Sequence, residues 1–225
     1  MTPFLKLYIL KSMYDDSEIN LIKEWLGSGS INIFGRPFAG KDIQANNLIE
    51  LIGGNLVGGG DILRSDNMTD EIKALMKTGK LIPTEKYQEI VLPYLNQKKF
   101  QNKPLFLSSV GRWYGEEDAV IRALEKSGHQ LKAVIHLEIS EQESYARWKN
   151  RDIYNDRGER HDDTVEILKI RLDECNKKTI PVIEKYQQMG ILIKIDGTKK
   201  RAEVTQDIIE SLGKMRRDGT SRALA

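Results

Sequence analysis

A single cysteine, Cys175, stands in a chain of 225 residues. One thiol closes no intramolecular disulfide and supplies no cysteine-rich zinc site, which fits a reducing compartment and points to the cytoplasm. No apolar run comes near the roughly 20 residues a membrane helix needs, and the N-terminus lacks the basic, apolar and small-residue succession of a cleavable leader. Neither a membrane anchor nor secretion is expected. Excess charge is missing too: 35 Lys and Arg face 33 Asp and Glu, a formal net charge of +2. So small a surplus points neither to nucleic acid nor to an anionic membrane as partner, and any phosphate binding must be local. Aromatic residues are 7% of the chain and form no stacking-platform pattern, a second argument against nucleic acid. Internal repeats and low-complexity tracts are absent.

What is present is enough apolar content, 40% of residues, for one packed domain with a small appendage. An apolar start over 4–10 is followed by Ile19, Leu21, Ile22, Trp25 and Leu26 at helical spacing, with Asp15, Asp16 or Ser17 as the cap. Gly27, Ser28, Gly29 and Ser30 then read as a flexible break, which makes residues 1–30 an N-terminal extension to the main domain at 31–213. The extension either packs on that domain or offers a surface to a partner. Short apolar runs at 31–34, 104–107, 133–137 and 191–195 read as buried strands. Amphipathic patterns at 41–52, 69–77, 85–96, 116–127, 141–151, 164–189 and 202–212 read as helices between them. Strands alternating with helices predict an α/β fold whose parallel sheet is covered on both faces and binds ligands at the strands' carboxyl ends. Residues 152–163 are polar and loop-like, and residues 214–225 are expected to fray.

The first strand runs into Gly35-Arg36-Pro37-Phe38-Ala39-Gly40-Lys41, a match to G-x-x-x-x-G-K, and the 41–52 helix follows at once. Glycines let such a turn fold tightly with its N–H groups aimed at phosphate oxygens. The helix start adds partial positive charge, and Lys41 adds a mobile full one. A polyphosphate cradle is therefore expected. The plain alternative is a glycine-rich turn with an exposed lysine. Asp42 stands where most such loops carry a Ser or Thr that helps organise magnesium. Its carboxylate either points away, caps the helix, or reaches the metal through water.

Further segments follow in a telling order: Gly59-Gly60-Asp61-Ile62-Leu63-Arg64, then Gly79-Lys80-Leu81-Ile82-Pro83, then Ser108-Ser109-Val110-Gly111-Arg112. Next come Arg147 and Arg151, the run Arg160-His161-Asp162-Asp163, and Arg171. In order and interval, residues 31–212 resemble the adenylate kinase family of nucleoside monophosphate kinases. The resemblance implies a three-layer P-loop kinase fold with a parallel five-stranded sheet, a helical monophosphate-binding segment at 59–96 and a short lid at 152–163. It implies ATP and Mg2+ as cofactors and a nucleoside monophosphate as substrate, with a monomeric enzyme expected. Residues Gly35, Arg36, Pro37, Phe38, Ala39, Gly40, Lys41, Asp42 and Ile43 would hold the donor, and Arg147 would stack on its base. Gly60, Asp61, Arg64 and Arg112 would hold the acceptor's phosphate end, and Leu81 and Ile82 would line its base through the backbone. Arg151, Arg160 and Arg171 would join Lys41 and Arg112 around the transferred group, with Asp162 and Asp163 latching the lid. Phosphoryl transfer gathers negative charge, so permanently charged, planar guanidinium groups suit the work. Each arginine alone also reads as a surface ion-pair residue, and Arg147 as a solvated one.

Several positions depart from the family pattern. Ser108 replaces the aspartate that positions magnesium, and Ile43 replaces a threonine, so no side-chain set in the sequence is assigned as a metal site. The lid has no Cys, which rules out the family's zinc-bearing form. His161 reads as an exposed lid residue, and His129 and His136 as structural. Glu116 falls where the family has a glutamine reading adenine. A carboxylate only accepts, which suits the N–H donors of guanine. Alternatively, Glu116 and Glu117 merely begin the helix that follows. ATP-dependent phosphorylation of a nucleoside monophosphate is the leading expectation. The rivals are a P-loop kinase with another small-molecule acceptor and a nucleotide-binding regulator whose partner element is 1–27.

Overall fold

The computed structural model describes residues 14–64, 68–151 and 164–223, with side chains to 219. Strands β1 (Ser30–Gly35), β2 (Asn55–Gly58), β3 (Leu105–Ser108), β4 (Leu131–Glu138) and β5 (Leu192–Asp196) form one parallel sheet in the order β2-β3-β1-β4-β5. Every residue of β1 is buried, as expected of the central strand of a sheet covered on both faces. Ile31 and Ile33 face one apolar cluster with Leu48, Ile208 and Leu212. Phe34, Leu105 and Leu107 belong to a second with Tyr87, Val91 and Tyr186. Helices therefore cover both faces, and the expected three-layer α/β architecture is present.

β2 is the strand the apolar runs did not reveal. Asn55–Gly58 has only Leu56 and Val57 to bury and is hemmed by Gly53, Gly54 and Gly59, so it carries little strand signal of its own. It is held by its register on β3, where Leu56 pairs with Phe106 and Val57 with Leu107.

The described part of the N-terminal piece packs on the domain, one of its two expected outcomes. Helix α1 (Asp16–Leu26) is capped by Asp15, whose carboxylate accepts from the Ser17 amide at 2.8 Å, and buries Ile19, Ile22 and Leu26 in the first core cluster. The glycine-serine run after it is tied down rather than flexible. Gly27 donates to Lys23 O at 2.9 Å and Gly29 to Leu26 O at 2.7 Å, while Ser30 begins β1. A Cβ on Gly29 would stand 2.8 Å from Leu26 O, so the turn needs glycine for a close approach. Residues 1–13 lie outside the described residues.

Helices α2 (Lys41–Ile52), α3 (Gly59–Leu63), α4 (Asp70–Lys77), α5 (Thr84–Tyr94), α6 (Glu116–Lys126) and α7 (Glu141–Lys149) follow. The expected long helix at 164–189 is α8 (Val165–Glu174), a π turn (Cys175–Thr179) and α9 (Ile180–Gln188). Pro181 explains the interruption: without an N–H it cannot bond the Lys177 carbonyl, and the helix loosens there. Helix α10 (Arg201–Ala223) also corrects an expectation, since the stretch from 214 is helical rather than frayed. It is docked at Gly213, where an added Cβ would collide with the Glu18 carboxylate, and Arg217 donates to Glu18 at 3.0 Å. Among the described residues no helix is long and apolar enough to cross a membrane.

Candidate active site

β1 hands the chain to α2 through a turn that only glycine can begin. A Cβ on Gly35 would lie 2.8 Å from Leu137 O on β4 and 2.9 Å from the Ala39 Cβ. Gly40, at φ 91°, is the N-cap of α2 and supplies no side-chain cap, so no carboxylate or hydroxyl competes at that position for the first-turn amides. Phe38 holds φ at 64°, an uncommon conformation for a residue with a Cβ, and such strain gathers at ligand loops. Lys41 arches back over the turn, its Nζ donating to Gly35 O and Arg36 O at 3.0 Å each. Phosphate oxygens entering the turn can take those bonds over.

Arg36 joins the loop through that carbonyl, while its guanidinium turns toward the scaffold, donating to Ile139 O at 2.9 Å and Asn176 Oδ1 at 3.0 Å. The π turn thus braces the loop from outside, with Asn176 passing a second bond to Glu141 at 2.6 Å. Asp42, for which three orientations were open, faces the end of β3. The Ser108 hydroxyl donates to its Oδ1 at 2.6 Å.

β1 also fixes the turn after β3. Buried Asn32 donates from Nδ2 to Val110 O at 2.7 Å and accepts from Val110 N at 3.3 Å. That clamp sets Arg112, whose Nε donates to Ser109 O at 3.2 Å. Burial lowers the Arg112 pKa from its ordinary value; nearby Tyr87 and Cys175 oppose the shift, and the positive charges of Arg171 and Arg64 add to it. Arg64, Arg112 and Arg171 line one cavity, where a bound anion would offset their like charges. Arg64, the C-cap of α3, is held at 2.6 Å by Asp61.

Loop, arginines and the α3–α5 segment enclose a cavity of about 930 Å³, lined among others by Lys41, Arg64, Arg112, Arg147, Arg151 and Arg171. Pro37, Phe38, Ala39, Ile43, Gly60, Leu81 and Ile82 line it too. Arg147 bridges elements: to Glu143 at 2.6 Å, to Gly197 O at 2.7 Å and to Phe38 O at 3.4 Å. Arg151 lies over the Trp148 ring, 4.6 Å from its centroid, and donates to Trp148 O at 2.9 Å. Arg160, His161, Asp162 and Asp163, with the whole 152–163 lid, lie outside the described residues.

Glu116 is 1% exposed. Its Oε2 accepts from the amides of Arg112 at 2.8 Å and Trp113 at 3.0 Å, while Oε1 is buried without a hydrogen-bond partner. Burial raises its pKa above the usual carboxylate value, and those amide donors, with the nearby Thr84 hydroxyl, oppose the rise. Glu117 serves the helix start, accepting from Gly115 N at 2.7 Å.

Sequence reasoning missed one wall of the cavity. Trp113 Nε1 donates to Ile82 O at 2.9 Å, and Lys178 Nζ sits 3.8 Å above its ring centroid. Lys178 pairs with Glu174 at 2.5 Å, and Glu174 Oε2 accepts from Leu81 N at 2.9 Å. The buried Tyr87 hydroxyl accepts from Gly111 N at 2.9 Å. The one available signal was Trp113 next to Arg112; its partners lie about 30 and 65 residues away, beyond any local pattern.

A family model described as adenylate kinase matches residues 33–191. The adenylate kinase of Fusobacterium nucleatum subsp. nucleatum is 30% identical over 205 residues, covering 80% of this chain and 97% of that protein. That of Methanosarcina acetivorans is 30% identical over 215 residues, covering 82% and 99%. That of Micrococcus luteus is 29% identical over 189 residues, covering 82% and 90%. With a cradle at the head of β1, a crowd of guanidinium groups facing it and a match over most of its length, the chain belongs to the adenylate kinase family.

Proposed function

We propose that the chain passes the terminal phosphoryl group of ATP to a nucleoside monophosphate, with the donor's phosphates in the 35–43 turn and the acceptor against α3–α5. The observation that carries this is that Arg64, Arg112 and Arg171 line the same cavity as Lys41. A single bound nucleotide would be served by the turn and its lysine. Three further permanent charges across the cavity suit a second phosphate-bearing molecule.

Arg64 and Arg112 hold the acceptor's phosphate and aim its oxygen at the donor. Lys41 leaves the carbonyls of Gly35 and Arg36 for the donor's outer phosphates and follows the charge as it shifts to the leaving oxygen. Arg171 and Arg151 flank the equatorial oxygens of the moving group. In-line transfer between phosphates needs positioning and charge far more than a proton relay, so no buried histidine is called on.

The donors at the loop fit Mg2+, a hard cation that takes oxygen ligands and is usually held by one or two carboxylates, waters and substrate phosphates. The family's carboxylate at position 108 is a hydroxyl here, and a carboxylate appears instead at Asp42, with the two side chains 2.6 Å apart. The same pair of chemistries therefore meets at the same spot from exchanged positions, and Asp42 with Ser108 would hold the metal or its waters. When bound, it would neutralise charge between the outer phosphates. Buried Cys175 suits action in the reducing cytoplasm.

A coupled assay with ATP, Mg2+ and each of AMP, GMP, CMP and UMP tests the proposal, repeated on Lys41→Ala. Turnover of at least one monophosphate that Lys41→Ala loses is expected. Tight ATP binding with no turnover of any acceptor would favour the regulator reading instead.

A further inference from the structure

Resting on the kinase reading, we infer that Tyr87 is a positioning residue for Arg112: its buried hydroxyl, keyed between the start of α3 and the turn after β3, sets where the guanidinium meets the acceptor's phosphate. The turn at 109–113 does not hold itself. Ser109 and Gly111 take positive φ, 50° and 76°, which takes the chain out of helix and strand pairing. Buried side chains from three elements pin its amides instead. Val110 N donates to Asn32 on β1 at 3.3 Å and Gly111 N to the Tyr87 hydroxyl on α5 at 2.9 Å. The amides of Arg112 and Trp113 donate to Glu116 on α6 at 2.8 and 3.0 Å.

Of these three side chains, Tyr87 is the one that comes from the 59–96 segment, which also carries Arg64 at the C-cap of α3. Its oxygen reaches the turn past Gly59, where an added Cβ would stand 2.8 Å from it, so a bare α-carbon at the head of α3 is what lets the hydroxyl in. On the other side Gly111 presses on α6: an added Cβ there would lie 2.8 Å from Val120 Cγ2. The hydroxyl is therefore a spacer of fixed length between two backbones, one leading to Arg64 and the other to Arg112. Arg112 feels the turn twice, through its own amide and through Nε, which donates to Ser109 O. Removing the hydroxyl leaves the buried Gly111 N–H without that acceptor, a cost the turn escapes only by moving, and Arg112 moves with it. A displaced guanidinium holds and aims the phosphate less well, while the 35–43 turn is untouched.

Tyr87→Phe, which keeps the ring in its apolar cluster, tests this. In calorimetry without ATP, AMP, GMP, CMP and UMP are each titrated into both proteins. Whichever binds the unaltered protein most tightly should bind Tyr87→Phe about 10-fold more weakly, with the Kd for ATP, titrated separately, within about twofold. In the coupled assay Tyr87→Phe should cost kcat/KM for that monophosphate about 10-fold where Arg112 is present and less than about twofold on an Arg112→Ala background, the non-additivity of residues that act as a unit. Gly59→Ala drives a Cβ against the same oxygen from the α3 side; it should repeat both patterns and decides the matter if Tyr87→Phe does not fold. An unchanged monophosphate affinity in the folded variant overturns the inference. So does an equal loss for ATP, which would mark general loosening, or an equal cost with and without Arg112. If monophosphates bind and none is turned over, the kinase reading fails while calorimetry still decides the role of Tyr87. Binding of no monophosphate by the unaltered protein overturns both.

Discussion

Around residues 35–41 the cavity wall is main chain; around Arg64, Arg112 and Trp113 it is side chain. The first wall takes a strand end, a tight turn and a helix start, all consecutive in sequence, with glycine where Leu137 and Ala39 press closest. The second takes pieces from 59–64, 81–87, 108–117 and 171–178, joined by contacts such as Trp113 to Ile82 and Leu81 to Glu174. A wall of amides recognises any polyphosphate and tolerates changes in side chains that point elsewhere. A wall of side chains drawn from distant segments can be respecified atom by atom while the fold stays put, and the departures at Glu116 and Ser108 are of that kind.

The sharpest way to break this division is to strike each wall and look for damage in the other. Lys41→Ala should cut kcat about a thousandfold, the loss seen when one preorganised electrostatic donor to a transition state is removed. The melting temperature should hardly move, because the Gly35 and Arg36 carbonyls that Lys41 Nζ bonds belong to the loop rather than to the packed core. Arg112→Ala should lower kcat/KM for the monophosphate about a hundredfold, with the affinity for ATP unchanged when measured by titration. If Arg112→Ala weakened ATP as much as it weakened the acceptor, the two walls would not be separate.

Acid separates them by stability. His136, on β4 behind the loop, is 7% exposed, and burial first, then the charges of Arg36, Lys194 and Lys41, hold its pKa down at about 4. Neutral at physiological pH, it forms no ion pair with Glu138 despite a 3.5 Å approach. A depressed folded pKa gives stability that is present above the unfolded value near 6.5 and is lost as pH falls through 4. The loss is about 3 kcal/mol. Glu116 has the opposite sign: its raised pKa gives stability present below the ordinary carboxylate value and lost as pH rises through the folded one. Urea unfolding of the unaltered protein and His136→Gln across pH 7 to 4 isolates the donor side. The difference between their profiles should shrink toward the acid end, and a constant difference would contradict the shift.

The same contrast governs what could be read in the sequence. β1, the turn and α2 were legible because the 23 consecutive residues 30–52 carry strand, glycine and helix signals in the order the structure uses. The arginines were legible as a set only through the resemblance, since Arg64, Arg112 and Arg171 are far apart in the chain and meet only in three dimensions. β2 was invisible because its pairing with β3, not its composition, makes it a strand. The break at 27–30 and the stretch from 214 were misread for a related reason. Gly27 to Ser30 has linker composition, yet its amides and a close approach to Leu26 bind it in place, and Glu18 needs Gly213 at the other end of the chain.

Trp113 gives the smallest test and the most specific one. Trp113→Phe keeps the ring under Lys178 but removes the Nε1 bond to Ile82 O, freeing a carbonyl in the strip beside the acceptor base. Losing one such bond costs about 1 kcal/mol, which corresponds to a several-fold rise in KM for the monophosphate. ATP affinity should not change, because Glu116, Ile82 and Lys178, which Trp113 contacts, lie outside the 35–43 turn. The freed Ile82 carbonyl is a new acceptor, so bases with an exocyclic amino group should lose least, and UMP, whose uracil has none, should lose most. An equal loss for every acceptor would mean that Trp113 only braces the wall, and that the engaged backbone of Leu81 and Ile82 has no part in choosing the base.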